Sequence, residues 1–305
     1  MGTCKSKTYH DEYRNHISID IIEKNLYLGG LSAARDIKTL KCYKITHILT
    51  IDTSPLPNYI TTKLKQLNTK FIRLSDYPKE DLLSHLDSCI SFINDGVYKG
   101  KVLVHCFCGI SRSASVIIAY MMRKYSLSYD EALRTVKSKR GIVFPNYGFI
   151  CQLKLYEEMG FRIDVKNIQY KLLRLSAAGD KIRQNKMLPI DYFDVIKPDT
   201  GENPIQFESN VYKCRECKRI LASETNLIPH QDQSTNQICN KTYSLEPLTW
   251  MNVRQSRQGK LNCPKCNCEI GLFCWVAEYL ECQCLCGAQV APAFLLLPSK
   301  IEITN

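Results

Sequence analysis

The chain has 305 residues, 45% of them hydrophobic and 23% charged, with a formal net charge of +11. That length supports a full hydrophobic core and two domains, and no stretch reaches the roughly 18 apolar residues of a membrane-spanning helix. The basic excess points to a phosphate-rich or otherwise acidic partner, and sixteen cysteines behind a start that lacks a secretory signal point to a reducing compartment.

Residues 1–16 read as an N-terminal tail. It opens with MGTCKS, which fits the N-myristoylation pattern Met-Gly-x-x-x-Ser at Gly2, and Cys4 stands where a second lipid would be added. A single acyl chain binds membranes only marginally. The expectation is therefore a weak membrane association through Gly2 and Cys4, not a stable anchor.

Residues 17–160 alternate short apolar runs with longer helical patterns. HILTI (His47 to Ile51), KFIRL (Lys70 to Leu74) and KVLVH (Lys101 to His105) have the length and branching of buried strands. Leu82, Leu83, Leu86, Ile90 and Ile93 repeat at helical spacing, and RSASVIIAYMMRK reads as a buried helix. Another helix opens at Ser128, where Glu131 completes a capping box, and a last one covers about Asn146 to Met159. Strand–helix alternation predicts an α/β domain with a central, mostly parallel sheet flanked by helices.

HCFCGISRS therefore falls on the turn between a strand and a helix, at the carboxyl end of the sheet where ligands bind. Backbone N–H groups from Phe107, Cys108, Gly109, Ile110, Ser111 and Arg112 are placed to wrap a tetrahedral oxyanion, with Gly109 permitting the tight curve. Arg112 adds a bidentate guanidinium fork. Cys106 lies at the base of this cradle as a nucleophile aimed at phosphorus. Ser113 is expected to donate a hydrogen bond to its sulfur, and His105 to orient the loop and not to act as a base.

His-Cys-x-x-Gly-x-x-Arg-Ser resembles the signature of the cysteine-dependent protein phosphatases, and the domain is similar to their compact dual-specificity branch. NLYLGG (Asn25 to Gly30) and PNYGFICQL (Pro145 to Leu153) extend the likeness. The resemblance implies hydrolysis of phosphotyrosine and phosphoserine or phosphothreonine in phosphorylated proteins, through a phosphocysteine. It also implies an aspartate about thirty residues before the cysteine as acid and then base. Asp76 holds that place, while Asp81 opens a helix and has an ordinary capping role. Asn146 resembles the asparagine that braces the phosphate loop; the plainer alternative is an Asx turn after Pro145. Cys108 departs from the pattern, where alanine is usual. It is either a small packing residue or a thiol that captures an oxidised Cys106.

Residues 161–210 read as a basic connector and linker. Phe161 to Met187 holds seven Lys or Arg against two Asp, with Leu172, Leu173 and Leu175 giving it some apolar character. KPDTGENPIQFESN then carries the prolines and glycine that punctuate structure.

Residues 211–298 hold ten of the cysteines and read as a small zinc-binding domain. CxxC pairs completed by distant ligands match two tetrahedral structural zinc ions. Chain order groups Cys214, Cys217, His230 and Cys239 around one, and Cys263, Cys266, Cys284 and Cys286 around the other. Spacing leaves a cross-braced arrangement open, and Cys268, Cys274 and Cys282 stand as substitutes. EPLTWM, GKLNCPKC, GLFCW and CLCGAQVAPAF resemble the tail of the dual-specificity phosphatases with a zinc-binding carboxyl domain. That resemblance implies a role in maturing the large ribosomal subunit, on pre-60S particles of the nucleus and cytoplasm, with catalysis dispensable for it. It leaves three readings open: both roles together, the assembly role alone, or a phosphatase-only signalling enzyme.

If Cys108 guards Cys106, thiol reverses peroxide inactivation of the wild type and fails to reverse that of Cys108→Ala. Equal recovery of the two proteins in a phosphatase assay would rule the pair out as a redox switch.

Overall fold

The computed structural model describes residues 17–201, 210–232, 235, 237–276, 284, 286–288 and 290–304. Gly2, Cys4 and Cys282 lie outside these residues. The chain divides into two compact units, Met1–Asp164 and Val165–Asn305.

In the first unit, strands β1 (Ile19–Glu23), β2 (Leu26–Gly29), β3 (His47–Asp52), β4 (Asn68–Arg73) and β5 (Val102–His105) form one sheet in the order β1-β2-β5-β3-β4. Only β1 runs antiparallel to its neighbour; the other three pairings are parallel. Every residue of β3 and β5 is buried, which is why both read as unbroken apolar runs. The sequence patterns locate β3, β4 and β5 to within two residues. The β1–β2 hairpin escapes them because its strands are short and its turn rests on Asn25, with φ of 66°.

Seven helices cover or connect the sheet: α1 (Leu31–Arg35), α2 (Ile37–Cys42), α3 (Asn58–Lys63), α4 (Leu86–Lys99), α5 (Arg112–Tyr125), α6 (Tyr129–Lys139) and α7 (Tyr147–Glu158). Residues 112–122 of α5 are buried without a break, so this helix is the spine of the domain. The Ser128–Glu131 capping box starts α6, and the Asn146 side chain caps α7 by accepting from the Phe149 N–H at 3.0 Å. Asp81 accepts from the Ser84 N–H at 3.0 Å, the capping role expected of it.

The second unit begins with α8 (Ile168–Asn185), inside the segment read from sequence as a connector. Leu175, Ala177, Ala178 and Ile182 bury one face of it in this unit's core. Gly179 lies so close to the Trp275 backbone that a Cβ there would stand 2.5 Å from the Trp275 carbonyl oxygen. Burying Leu175 and Ile182 is worth about 1.5–3 kcal/mol each, whereas an exposed ion pair contributes about 0–1 kcal/mol. The apolar face therefore decides where this basic segment goes.

Two antiparallel sheets complete the unit. They are built from β6 (Val211–Cys214), β7 (Ile220–Ser223), β8 (Tyr243–Ser244), β9 (Gln258–Asn262), β10 (Glu269–Cys274), β11 (Ala293–Leu296) and β12 (Ile301–Thr304), and one has the order β8-β11-β10-β9. The other has the order β12-β6-β7, so the fold uses residues past position 298. Both tryptophans are buried with their indole N–H groups satisfied, Trp250 by the Leu221 carbonyl at 2.9 Å and Trp275 by the Val253 carbonyl at 2.8 Å.

Candidate functional site

Between the end of β5 and the first turn of α5 the chain must reverse at the carboxyl edge of the sheet. Residues 106–111 make that reversal as a loop whose carbonyls all point outward. The Cys106 oxygen meets His105 Nδ1 at 3.2 Å, and the Phe107 oxygen accepts from the Leu31 N–H at 3.0 Å. Arg140 donates from Nη2 to the Cys108 oxygen at 2.9 Å and from Nε to the Gly109 oxygen at 2.8 Å. The Phe144 N–H takes the Ile110 oxygen at 2.9 Å, and Ser115 donates to the Ser111 oxygen through N–H and Oγ, both at 2.8 Å.

With six carbonyls held outside, the N–H groups turn inward. Gly109 N–H donates to the Cys106 sulfur at 3.2 Å, and among the described residues those of Phe107, Cys108, Ile110 and Ser111 find no acceptor in the protein. A concave row of free amides is an anion site. Gly109 has φ of +69°, and a Cβ on it would stand 2.4 Å from the Gly29 carbonyl oxygen. Both facts require glycine. They also show what NLYLGG does: its last residues form the surface under the loop.

Cys106 is buried at the loop's floor, its sulfur also accepting from Ser113 Oγ at 3.2 Å. His105 is fully buried, and burial pushes its pKa down to about 4, so the ring is neutral. The Cys106 carbonyl can only accept, which puts the ring proton on Nδ1 and leaves Nε2 to accept from Thr50 Oγ1 at 2.8 Å. Both nitrogens are thus occupied, and His105 braces the loop. Cys108 is exposed and, like Cys106, a free thiol. Partial burial of its sulfur, and then the neighbouring Cys106, raise its pKa.

Arg112 is buried and donates through Nη1 to Asp52 Oδ1 at 2.7 Å and to the Leu74 carbonyl at 3.2 Å. Its Nε is buried without a hydrogen-bond partner, 3.8 Å from Asp76 Oδ2. Asp76 Oδ1 accepts from Ser111 Oγ at 2.7 Å and from Asn146 Nδ2 at 2.8 Å, while the Asn146 N–H donates to Ser111 Oγ at 3.1 Å. The structure thus brings together all the residues expected at the site. It gives Asn146 a helix cap through Oδ1 and a tie to Asp76 through Nδ2, so its link to the phosphate loop passes through Ser111.

Three contributors escaped the sequence reading. Asp52 ends the apolar run HILTI, and a carboxylate closing a buried strand is a faint signal. Arg140 and Thr50 carry none, because nothing local ties them to a loop 31 and 55 residues away. Four exposed aromatic side chains, Tyr77, Phe107, Phe144 and Tyr147, sit beside Asp76, Cys106 and Asn146 in the chain. Their segments are knotted together by the Ser111–Asp76–Asn146 bonds and by Gly148, whose Cα abuts the Pro78 carbonyl.

The second unit holds two clusters of metal-ligand type. Cys214, Cys217, Cys263 and Cys266 form one, and His230, Cys239, Cys284 and Cys286 the other, with ligand atoms within 4.8 Å of one another in each. Sulfur separations of 3.5 Å (Cys217 to Cys263) and 3.7 Å (Cys214 to Cys266) approach the ~3.8 Å that tetrahedral zinc with thiolates imposes. The residues fit two structural zinc ions.

The grouping by chain order is therefore corrected to the cross-braced one. The physical reason is the shape of the turns. Lys218 N–H donates to the Cys214 carbonyl and Asn267 N–H to the Cys263 carbonyl, at 2.9 and 2.8 Å, and both donors have φ near +60°. Two alike turns each present a sulfur pair, and two such pairs make one tetrahedron. Cys274 lies in β10 outside both clusters.

An amide cradle with a buried thiol at its floor, a guanidinium beside it and a carboxylate at its rim defines a cysteine-dependent phosphatase. Comparison with known proteins agrees: the family model "Dual specificity phosphatase, catalytic domain" matches residues 26–159. The chain is 37% identical to "Dual specificity protein phosphatase MPK-4" of Drosophila melanogaster, covering 95% of this chain and 88% of that protein. It is 33% identical to "Dual specificity protein phosphatase 12" of Mus musculus (92% and 87% covered) and 29% identical to "Tyrosine-protein phosphatase yvh1" of Schizosaccharomyces pombe (92% and 83%). The chain belongs to the dual-specificity protein phosphatases. Among the described residues no helix is long and apolar enough to cross a membrane.

Two outcomes follow from the buried charges. Asp52→Ala leaves the Arg112 guanidinium buried without its nearest carboxylate, and should lower unfolding stability by about 3 kcal/mol in urea titration; a loss under about 1 kcal/mol would show the pair to be incidental. His105 is neutral when folded and titrates at an ordinary ~6.5 when unfolded. Its contribution is present above that pH and is lost as pH falls toward about 4. The urea midpoint should therefore fall more between pH 7 and 5 in the wild type than in His105→Asn.

Proposed function

We propose that this protein hydrolyses phosphotyrosine and phosphoserine or phosphothreonine in phosphorylated proteins through a phosphocysteine. The observation that carries the reading is the inward row of unpaired loop amides closed by the buried, unpartnered Arg112 Nε. A phosphate dianion supplies the acceptors these donors lack, directly above the Cys106 sulfur.

In the first step Cys106, as a thiolate, attacks phosphorus through its sulfur, the bond to the substrate oxygen breaks, and Asp76 gives that oxygen its proton. In the second, water attacks phosphorus, Asp76 takes the water's proton, and the sulfur leaves with its bonding pair. Ser113 and Gly109 N–H stabilise the departing sulfur by hydrogen bonds. Phe107 to Arg112 hold the equatorial oxygens, and His105 and Asn146 act by positioning. The exposed Tyr77, Phe107, Phe144 and Tyr147 suit an aromatic leaving group, so phosphotyrosine is the better substrate.

The second unit carries the other half of the proposed role, binding to pre-60S ribosomal particles in the cytoplasm and nucleus. Support comes from the resemblance across both units and from the +11 charge, which suits a particle rich in RNA phosphate.

Cys106→Ser should abolish turnover of phosphotyrosyl and phosphothreonyl peptides, and Asp76→Asn should lower kcat by about 10²–10⁴-fold. Hydrolysis that survives Cys106→Ser would end the catalytic reading. In the native host, rescue of large-subunit profiles by Cys106→Ser but not by truncation after Asn203 would assign assembly to the second unit alone. Loss of rescue with both would make catalysis part of it, and rescue by both would end the assignment of assembly to the second unit.

A further inference from the structure

Beside the first cysteine cluster stands a fifth sulfur, that of Cys268. Cys268 Sγ stands 3.5 Å from Cys214 Sγ and 3.3 Å from Cys266 Sγ, and those two are 3.7 Å apart. The three sulfurs form a near-equilateral triangle with edges close to those of a tetrahedral thiolate site. Cys268 is not one of the four mutually close ligands, yet its sulfur lies beside two of them, Cys214 and Cys266.

The turn itself does not need that thiol. Cys263 N–H closes it on the Cys268 carbonyl at 2.9 Å, and in the matching turn Cys214 N–H closes on the Arg219 carbonyl at 2.9 Å. Arg219 fills the equivalent place with a side chain that turns away to Asp199. So the backbone makes the turn with either residue, and the Cys268 sulfur is free to serve another purpose. Exposure points to which ligand it backs. Cys214 and Cys263 are buried and Cys217 is half-buried, whereas Cys266 is exposed.

We propose that Cys268 is an alternative zinc ligand that exchanges with Cys266. In the exchange one zinc–sulfur bond forms at Cys268 as the one at Cys266 breaks, and the Cys268 proton passes to the released Cys266 sulfur across 3.3 Å. No oxidant or reductant enters. The cluster keeps four thiolates throughout, so the most solvent-exposed ligand becomes the one the fold can lose.

The test is zinc content of the purified full chain by elemental mass spectrometry. Cys266→Ser and Cys268→Ser should each retain two zinc ions per chain, and the double variant one. Cys217→Ser, with no spare sulfur beside it, should also retain one. Cobalt substitution gives a second readout: the four-thiolate charge-transfer band should persist in either single variant and weaken in the double. A Cys266→Ser protein that loses a zinc or fails to fold overturns the proposal. So does a double variant with two ions, or a Cys217→Ser variant that keeps as much zinc as Cys266→Ser.

Discussion

Everything at the active site depends on where six carbonyl groups point. A peptide unit that turns its N–H toward a cavity turns its oxygen the other way, and a buried oxygen without a donor costs about 1–3 kcal/mol. Residues 106–111 therefore hold an anion cradle only because His105, Leu31, Arg140, Phe144 and Ser115 take the oxygens from behind. Arg140 has the largest share, reaching two of the six while its own charge pairs with Asp20 at 2.6 Å. The surrounding domain is in this sense a mould for one loop.

The same economy governs the charges. Arg112 is buried, and a guanidinium without a counterion would be costly there. Asp52 balances it through one nitrogen and leaves Nε free on the side facing Asp76. Asp76 is tied in turn by Ser111 and Asn146, so hydrogen bonds fix the carboxylate at the rim to the loop beneath it. One hydroxyl, that of Ser111, links the loop, the acid and the amino terminus of α7.

The second unit solves a different problem. Its strands are two to six residues long, and its core is drawn from α8, the two sheets and the loops between them. Two Cys/His clusters tie turns that lie far apart in the chain, and α8 and the two tryptophans supply the apolar core between. Cross-bracing makes each ion join the first half of the unit to the second, so neither cluster closes a merely local loop.

The residues of the candidate site were legible in the chain itself. Cys106, Gly109, Arg112 and Ser113 lie within eight positions, because a strand–loop–helix turn is local and its spacing is its geometry. Strands β3 to β5, the Ser128 capping box and the eight metal ligands were legible for the same reason. Tertiary structure alone decided what acts at long range. It paired Asp52 with Arg112, brought Arg140 and Thr50 to the loop, gave the connector's helix to the second unit, and joined Cys214 and Cys217 to Cys263 and Cys266. None of these leaves a local pattern, since each partner needs only the right distance in space, and a sequence records distance along the chain.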